Sequence, residues 1–263
     1  MRRQLRFIGD GMIGVHMKLD ESALAATTND LTREVDARGV ADLIEFRMDQ
    51  ADDPLEQLAA YDGELPIIAT NRARWFGGKA SDTGRLDDLF SASRYDAVEF
   101  VDIELETVRA KEWLAHEFRE NDVQLIISHH DFDETPDREV LDAIIEQCAE
   151  FGDVAKVAVY PQNQRDTLTL LEAVNDATNR GIDVAGISMG ELGSHTRVIG
   201  HLYGSKLGYA PLLADDNDYA PGQIPLEKLA SLIELTKNER VDGQVIDTIR
   251  SEVSVPKELT LSD

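Results

Sequence analysis

Lys156 is the only charged side chain inside the apolar run "VAKVAVY" (154–160), in a chain that holds just eight lysines. An amine enclosed by apolar walls or crowded by other cations gives up its proton more readily, and the freed amine can attack a ketone to form a Schiff base. The competing reading is a lysine that reaches along a strand to pair a carboxylate. A histidine tips the balance. The stretch "IISHHDFDETP" (126–136) sets His129 and His130 at the end of a second apolar run. Strand side chains alternate between faces, so only His130 shares a face with Ser128. An imine draws electrons from the neighbouring carbon and acidifies its C–H, and a histidine, ionising near neutrality, is the base that such a C–H needs. His16, His116, His129, His195 and His201 are read as surface or supporting residues.

The elements that would position these groups alternate regularly. Strand-like runs lie at 12–18, 42–47, 65–71, 97–104, 123–128, 154–160, 182–188 and 204–210. Helical segments lie near 23–38, 55–60, 85–93, 107–120, 136–151, 164–180, 194–203 and 225–237, with Gly39, Gly152 and Gly181 as C′ residues of three of them. Thr135 is placed to N-cap the fifth helix, with Pro136 as its first residue. Eight βα units of roughly 30 residues predict a parallel (β/α)8 barrel of the TIM type, with an open doubly wound sheet as the alternative. No linker or composition break divides the chain, so residues 1–263 are expected to form one domain, with the closing "SEVSVPKELTLSD" a loose tail.

In such a barrel, chemistry gathers where strands end and the following loops begin. The polar residues there are Glu45 and Arg47, Asn71 and Arg72, Asp102 and Glu104, Ser128 and His130, Lys156, Ser188, Arg197 and Gln223. Glu45 and Arg47 point the same way, where a carboxylate beside a guanidinium can grip hydroxyls or form a structural ion pair. Asp102 and Glu104 also share a face and are read as structural, because acids are abundant throughout. The loop "SMGELG" (188–193) brings two glycines, suited to close backbone approach, near Arg197.

Composition narrows the partners. Asp and Glu number 51 against 26 Lys and Arg, a net charge of −25 spread through the sequence, which repels phosphate backbones and anionic lipid heads. No nucleic acid or membrane partner is expected. The lone cysteine, Cys148, rules out disulfide frameworks and reads as a buried thiol. Asp10 and two glycines interrupt the N-terminal apolar residues before a signal or spanning segment forms, so a cytoplasmic protein is expected.

Taken together, "EFR" (45–47), "SHHDFDETP" (128–136), "KVAVYP" (156–161), "SMGELGSHTR" (188–197), "GSKLGYA" (204–210) and "APGQIP" (220–225) resemble the type I 3-dehydroquinate dehydratases of the shikimate pathway. The resemblance runs from about residue 12 to 235. It implies a (β/α)8 barrel, a homodimer, no metal and no cofactor. It also implies dehydration of the small molecule 3-dehydroquinate to 3-dehydroshikimate through a lysine Schiff base. The family's imine lysine falls on Lys156 and its acid–base histidine on His130. Glu45, Arg47 and Arg72 would hold ring hydroxyls, and Arg197 and Gln223 the substrate carboxylate. Two positions depart from the family. Phe76 stands where many members have a glutamate that supports the histidine, leaving Asp131 or Glu104 as candidate partners for His130. Tyr219 stands where many have a serine, and its phenol can still donate a hydrogen bond to substrate from a longer arm.

Other chemistries use some of the same residues. A class I aldolase would keep the barrel and Lys156 but need phosphate donors in the last two loops. A noncatalytic sugar-acid-binding protein would keep the pocket and lose the imine. A metal enzyme built on Glu45, Glu104, His129, His130 and Asp131 is disfavoured, because His129 and His130 face opposite ways on one strand. The acidic excess carries its own expectation. Crowded carboxylates repel until counter-ions screen them, so stability and activity should both rise from low salt to molar salt. Equal melting temperatures at the two concentrations would contradict this.

Overall fold

A strand buried on both faces carries one set of side chains toward its sheet's interior and the other toward the covering helices. In the computed structural model of the protein, the described residues are 3–7 and 12–17, by backbone alone, with 19, 22–212 and 222–238. β1 (Arg3–Phe7) and β2 (Met12–Met17) form an antiparallel pair of their own. Eight further strands form one parallel sheet: β3 (Ala23–Thr28), β4 (Leu43–Arg47), β5 (Ile67–Thr70), β6 (Val98–Glu104), β7 (Gln124–His130), β8 (Val154–Val159), β9 (Val184–Ser188) and β10 (Leu207–Pro211). Their order is β10-β3-β4-β5-β6-β7-β8-β9. At its base the seam between β9 and β10 is bridged by the Lys206 N–H, which donates to the Val184 carbonyl at 2.7 Å. The result is a nearly closed (β/α)8 barrel.

The helices are α1 (Pro54–Ala60), α2 (Arg85–Ala92), α3 (Leu105–Ala110), α4 (Trp113–Arg119), α5 (Arg138–Phe151), α6 (Gln164–Asn179), α7 (Gly190–Ile199) and α8 (Leu226–Asn238). Outward strand residues such as Phe46, Ile103, Ile127 and Val157 pack under them in one large core. The inward set changes character along the strands. Ala25, Leu43, Ile68, Phe100, Ile126 and Val154 close the lower interior with apolar side chains. Two residues further along the same faces come Thr27, Glu45, Thr70, Asp102, Ser128 and Lys156, all buried. The barrel is thus an apolar plug carrying a layer of polar groups at its C-terminal mouth.

The first unit differs from the expectation. Residues 12–17 are strand, but in the separate hairpin and not in the barrel; residue 18 lies outside the described residues. The first barrel strand is Ala23–Thr28, which alanine-rich composition marks as helical, and only Leu31–Ala37 form a helical turn, of the 3₁₀ type, capped by the Asp30 side chain. All six residues of that strand are buried, and a short run buried on both faces has no alternation to distinguish it from helix. The segment 107–120 divides into α3 and α4. The fifth helix begins after Asp137; Thr135 instead donates its hydroxyl to the Tyr160 carbonyl. Of the expected loop "SMGELG", Ser188 ends β9 and Gly190–Gly193 form the first turn of α7, because Gly193 lets the helix settle onto the Ser188 backbone.

Gly39 and Gly181 have the positive φ expected after a helix, but Gly152 does not (φ −127°). Glycine is needed at 152 for space: a Cβ there would lie 2.5 Å from Ile127 Cγ1 and 2.8 Å from the Leu125 carbonyl oxygen. Gly152→Ala should therefore destabilise the barrel by about 1–3 kcal/mol through overpacking. Urea denaturation checks this, and an unchanged midpoint would show that the helix–strand corner has room.

Candidate active site

A cavity of about 250 Å³ opens at the C-terminal mouth, lined among others by Glu45, Arg47, Arg72, His130, Lys156, Arg197, Tyr209 and Gln223. A larger one, about 570 Å³, lies outside the strands between α7 and α8 and meets the first only at Ile187, Arg197 and Tyr209. The smaller holds the convergent polar groups and is the candidate site. Seven of the eight residues expected from sequence line it. The eighth, Tyr219, lies outside the described residues.

Asp102 is its hub. One carboxylate oxygen accepts from Lys156 Nζ at 2.9 Å, and the other accepts from Arg72 Nη2 and Ser128 Oγ, each at 2.7 Å. Arg72 also donates to Ser128 Oγ at 2.7 Å and lies 3.5 Å from Glu104. Burial alone would raise the Asp102 carboxyl, but Arg72 and Lys156 outweigh it and hold the group below the ordinary carboxylate range. Glu104, read with Asp102 as structural, faces outward from this hub toward Arg85, at 3.1 Å, and the Thr107 hydroxyl, which donates to it at 3.0 Å. Asp102 is thus the group that sequence undervalued.

Lys156 combines both readings made of it. It points into the cavity, and it is paired: Glu45 Oε1 lies 3.6 Å from Nζ, and the Tyr209 ring lies 4.0 Å beneath it. Glu45 is fixed by the Thr27 hydroxyl at 2.8 Å, supplied by the adjacent strand where Thr27 and Glu45 stand in register. Arg47 does not pair with Glu45; its Nε and Nη2 donate to the two Asp49 oxygens, at 2.9 and 2.8 Å. Two residues of the expected rim turn away. Asn71 donates to the Arg85 carbonyl at 3.0 Å, and Ser188 sits under Gly193.

His130 faces the cavity and His129 does not; the latter's Nδ1 lies 2.9 Å from Glu106 Oε1. Burial, reinforced by Arg72 and Lys156, pushes His130 well below its ordinary pKa, so the ring is uncharged near neutrality. Its expected carboxylate partners are engaged elsewhere: Asp131 accepts from the N–H groups of Asp133 and Glu134.

At the opposite wall, three polar atoms are buried with no partner among the described residues: Arg197 Nε, Gln223 Oε1 and Tyr209 Oη. Burial lowers the Arg197 guanidinium to about 10, with Glu45 opposing. Each of the other pocket cations, Arg47, Arg72 and Lys156, has a carboxylate within 4 Å, and Arg197 has none among the described residues. Gln223 is brought beside it by Gly222, whose positive φ and close seat on the Gly190 carbonyl exclude any side chain. A buried guanidinium N–H left open this way suits an anion carrying its own acceptors, while the free Gln223 amide oxygen beside it can take a hydroxyl.

The sequence profile described as "Type I 3-dehydroquinase" matches residues 23–240. The chain belongs to that family. It is 44% identical to the 3-dehydroquinate dehydratase of Halobacterium salinarum over 82% of its own length and 98% of the relative's. It is 43% identical to the Haloarcula marismortui enzyme of the same name, over 82% and 97%. Among solved structures, the 3-dehydroquinate dehydratase of Geobacillus kaustophilus superposes with a TM-score of 0.75 at 30% identity, covering 84% of this chain and 93% of that one.

Removing the hub charge while keeping its shape tests the electrostatic design. Asp102→Asn leaves Lys156 and Arg72 short of a counter-charge, and breaking a buried pair costs about 3–5 kcal/mol. Because the folded carboxyl sits below its ordinary 3.8, its contribution is complete above that value and disappears as pH falls through and beneath it. The stability gap between wild type and variant should therefore be largest at neutral pH and narrow toward acid. Chemical denaturation across pH measures it; a gap independent of pH would contradict the assignment.

Proposed function

We propose that this pocket dehydrates 3-dehydroquinate to 3-dehydroshikimate through an imine on Lys156, with His130 as base and then acid. The observation that carries this reading is the placing of three unlike groups around one cavity: a buried amine, an imidazole and a guanidinium without a counter-ion among the described residues. The substrate is a β-hydroxy ketone with ring hydroxyls and a carboxylate, so it offers a partner to each.

The carboxylate would lie against Arg197 and Gln223, meeting the open Arg197 Nε–H and, with the Gln223 amide turned to present its NH₂, a second donor. Glu45, Arg47 and Arg72 would take ring hydroxyls. Fixing both ends of a small ring brings the ketone carbon to Lys156 and the adjacent CH₂ to His130. The ammonium and ketone become a protonated imine and one water, with no net change in charge, so Asp102 and the Tyr209 ring face the same positive charge before and after. His130 then removes the proton, and the C–H electron pair moves into the imine to give a neutral enamine. The electrons return to expel the β-hydroxyl, which leaves as water with the proton held by the imidazolium. Hydrolysis of the conjugated imine frees the enone and the lysine.

Adding 3-dehydroquinate should produce the ultraviolet absorbance of a conjugated enone. Lys156→Ala should abolish that signal and His130→Ala should remove most of it, on the order of the 10²–10⁴-fold that a positioned acid–base group supplies. His129→Ala should change the rate little, because that ring faces Glu106. No enone with wild type would overturn the assigned reaction, and a larger loss at His129 than at His130 would overturn the assigned base.

A further inference from the structure

His130 is held in an unusual way for a base that must be aimed. Its Nδ1 is buried and has no hydrogen-bond partner among the described residues. What touches the ring is aromatic on two sides. Phe132 lies parallel to it, with centroids 5.8 Å apart and planes 12° from each other. Phe76 meets it edge-on at 5.5 Å and 84°. Phe76 also lies edge-on to His129 at 6.2 Å, tying the clamp to the outward histidine. Phe132 in turn rests on Gly77, where any Cβ would come within 2.7 Å of the phenyl ring and where φ is +75°. The turn Arg74–Phe76 followed by Gly77 is thus shaped to bring one ring onto the histidine and make room for the other.

Among the described residues, no polar group does this work. The charged and titratable groups that act on His130 are Arg72 from the end of β5, Asp102 from β6, Lys156 from β8 and its neighbour His129. Asp102 is fully engaged by Lys156, Arg72 and Ser128, while Glu106 accompanies His129. The two cations favour the uncharged ring, and an aromatic clamp holds it without supplying the negative charge that would stabilise its protonated form.

We propose that Phe76 and Phe132 are positioning residues for His130, holding its ring between one stacked and one edge-on aromatic ring in place of an ion-paired carboxylate. Its bearing on catalysis rests on the reading of His130 as the base; the clamp itself does not. A carboxylate at position 76 should convert one mode of support into the other. Loss of the ring without a charge should loosen the imidazole.

The test uses selectively ¹³C-labelled histidine in the full-length protein, with NMR titration of the imidazoles and the pH dependence of kcat/KM followed in parallel. In Phe76→Glu, His130 should titrate at a pH higher than in wild type by at least about one pH unit, the effect of an opposite charge within reach. The acidic limb of kcat/KM should move with it. Phe76→Leu should lower kcat on the order of 10–100-fold with little change in KM or melting temperature, as expected for a mis-aimed group, and Phe76→Tyr should restore most of it. Phe132→Leu should behave like Phe76→Leu. If His130 titrates alike in wild type and Phe76→Glu, or if both leucine variants keep the wild-type kcat while His130→Ala loses most of it, the clamp is wrong. If the NMR titration moves and the kinetic limb does not, the clamp stands and the role of His130 as base falls.

Discussion

A carboxylate buried among apolar strands is tolerated only when it is fully paired, and Asp102 meets that condition with Lys156, Arg72 and the Ser128 hydroxyl. The requirement fixes more than one residue. Arg72 must return from the end of β5, Ser128 and Lys156 must stand side by side on β7 and β8, and Asp102 must face them from β6. A one-residue slip of any strand would turn a charged group into the helix-facing core and bring an apolar one into the mouth. The polar layer therefore specifies register as well as chemistry, and the apolar plug of Leu43, Ile68, Phe100 and Ile126 beneath it keeps water from the pairs.

Above that neutralised layer the pocket divides into satisfied and unsatisfied walls. Lys156, Arg72 and Arg47 are held before any substrate arrives, while Arg197, Gln223 and Tyr209 retain buried polar atoms with nothing to bind among the described residues. Preorganised charges on one side and an open guanidinium on the other suit an asymmetric anion without a rearrangement of the barrel. The same division reconciles an acidic protein with an anionic substrate. At a net charge of −25 the chain repels such a molecule at long range, and dissolved salt that screens the surface beyond about 8–10 Å leaves the buried guanidinium its short-range attraction.

Much of this was legible in the order of residues. Seven of the eight barrel strands are readable as short, largely apolar runs between turn residues, and where such a run ends in polar residues two apart, as at Ser128 and His130, alternation separates His130 from His129. The first strand is not, since Ala23–Thr28 is buried on both faces and shows neither period. Lys156 stood out as a lone charge in an apolar run. Asp102 did not, because in a chain with 51 acids one more carboxylate carries little information until its neighbours on other strands are known. The pairing of Arg47 with Asp49 was hidden for a related reason: alternation says which face a side chain takes, and not which of several acids on that face it reaches. Tyr209 and Phe76 have roles that arise from contacts between strands and loops far apart in sequence, which no local pattern encodes.

The account turns on Lys156 being the amine that the buried pairs present to the substrate carbonyl. Borohydride reduction in the presence of 3-dehydroquinate, followed by peptide mass spectrometry, reads this out covalently. The account predicts one reduced substrate adduct, on Lys156, absent from Lys156→Ala. Turnover without any adduct, or an adduct on another lysine of an active protein, would contradict it.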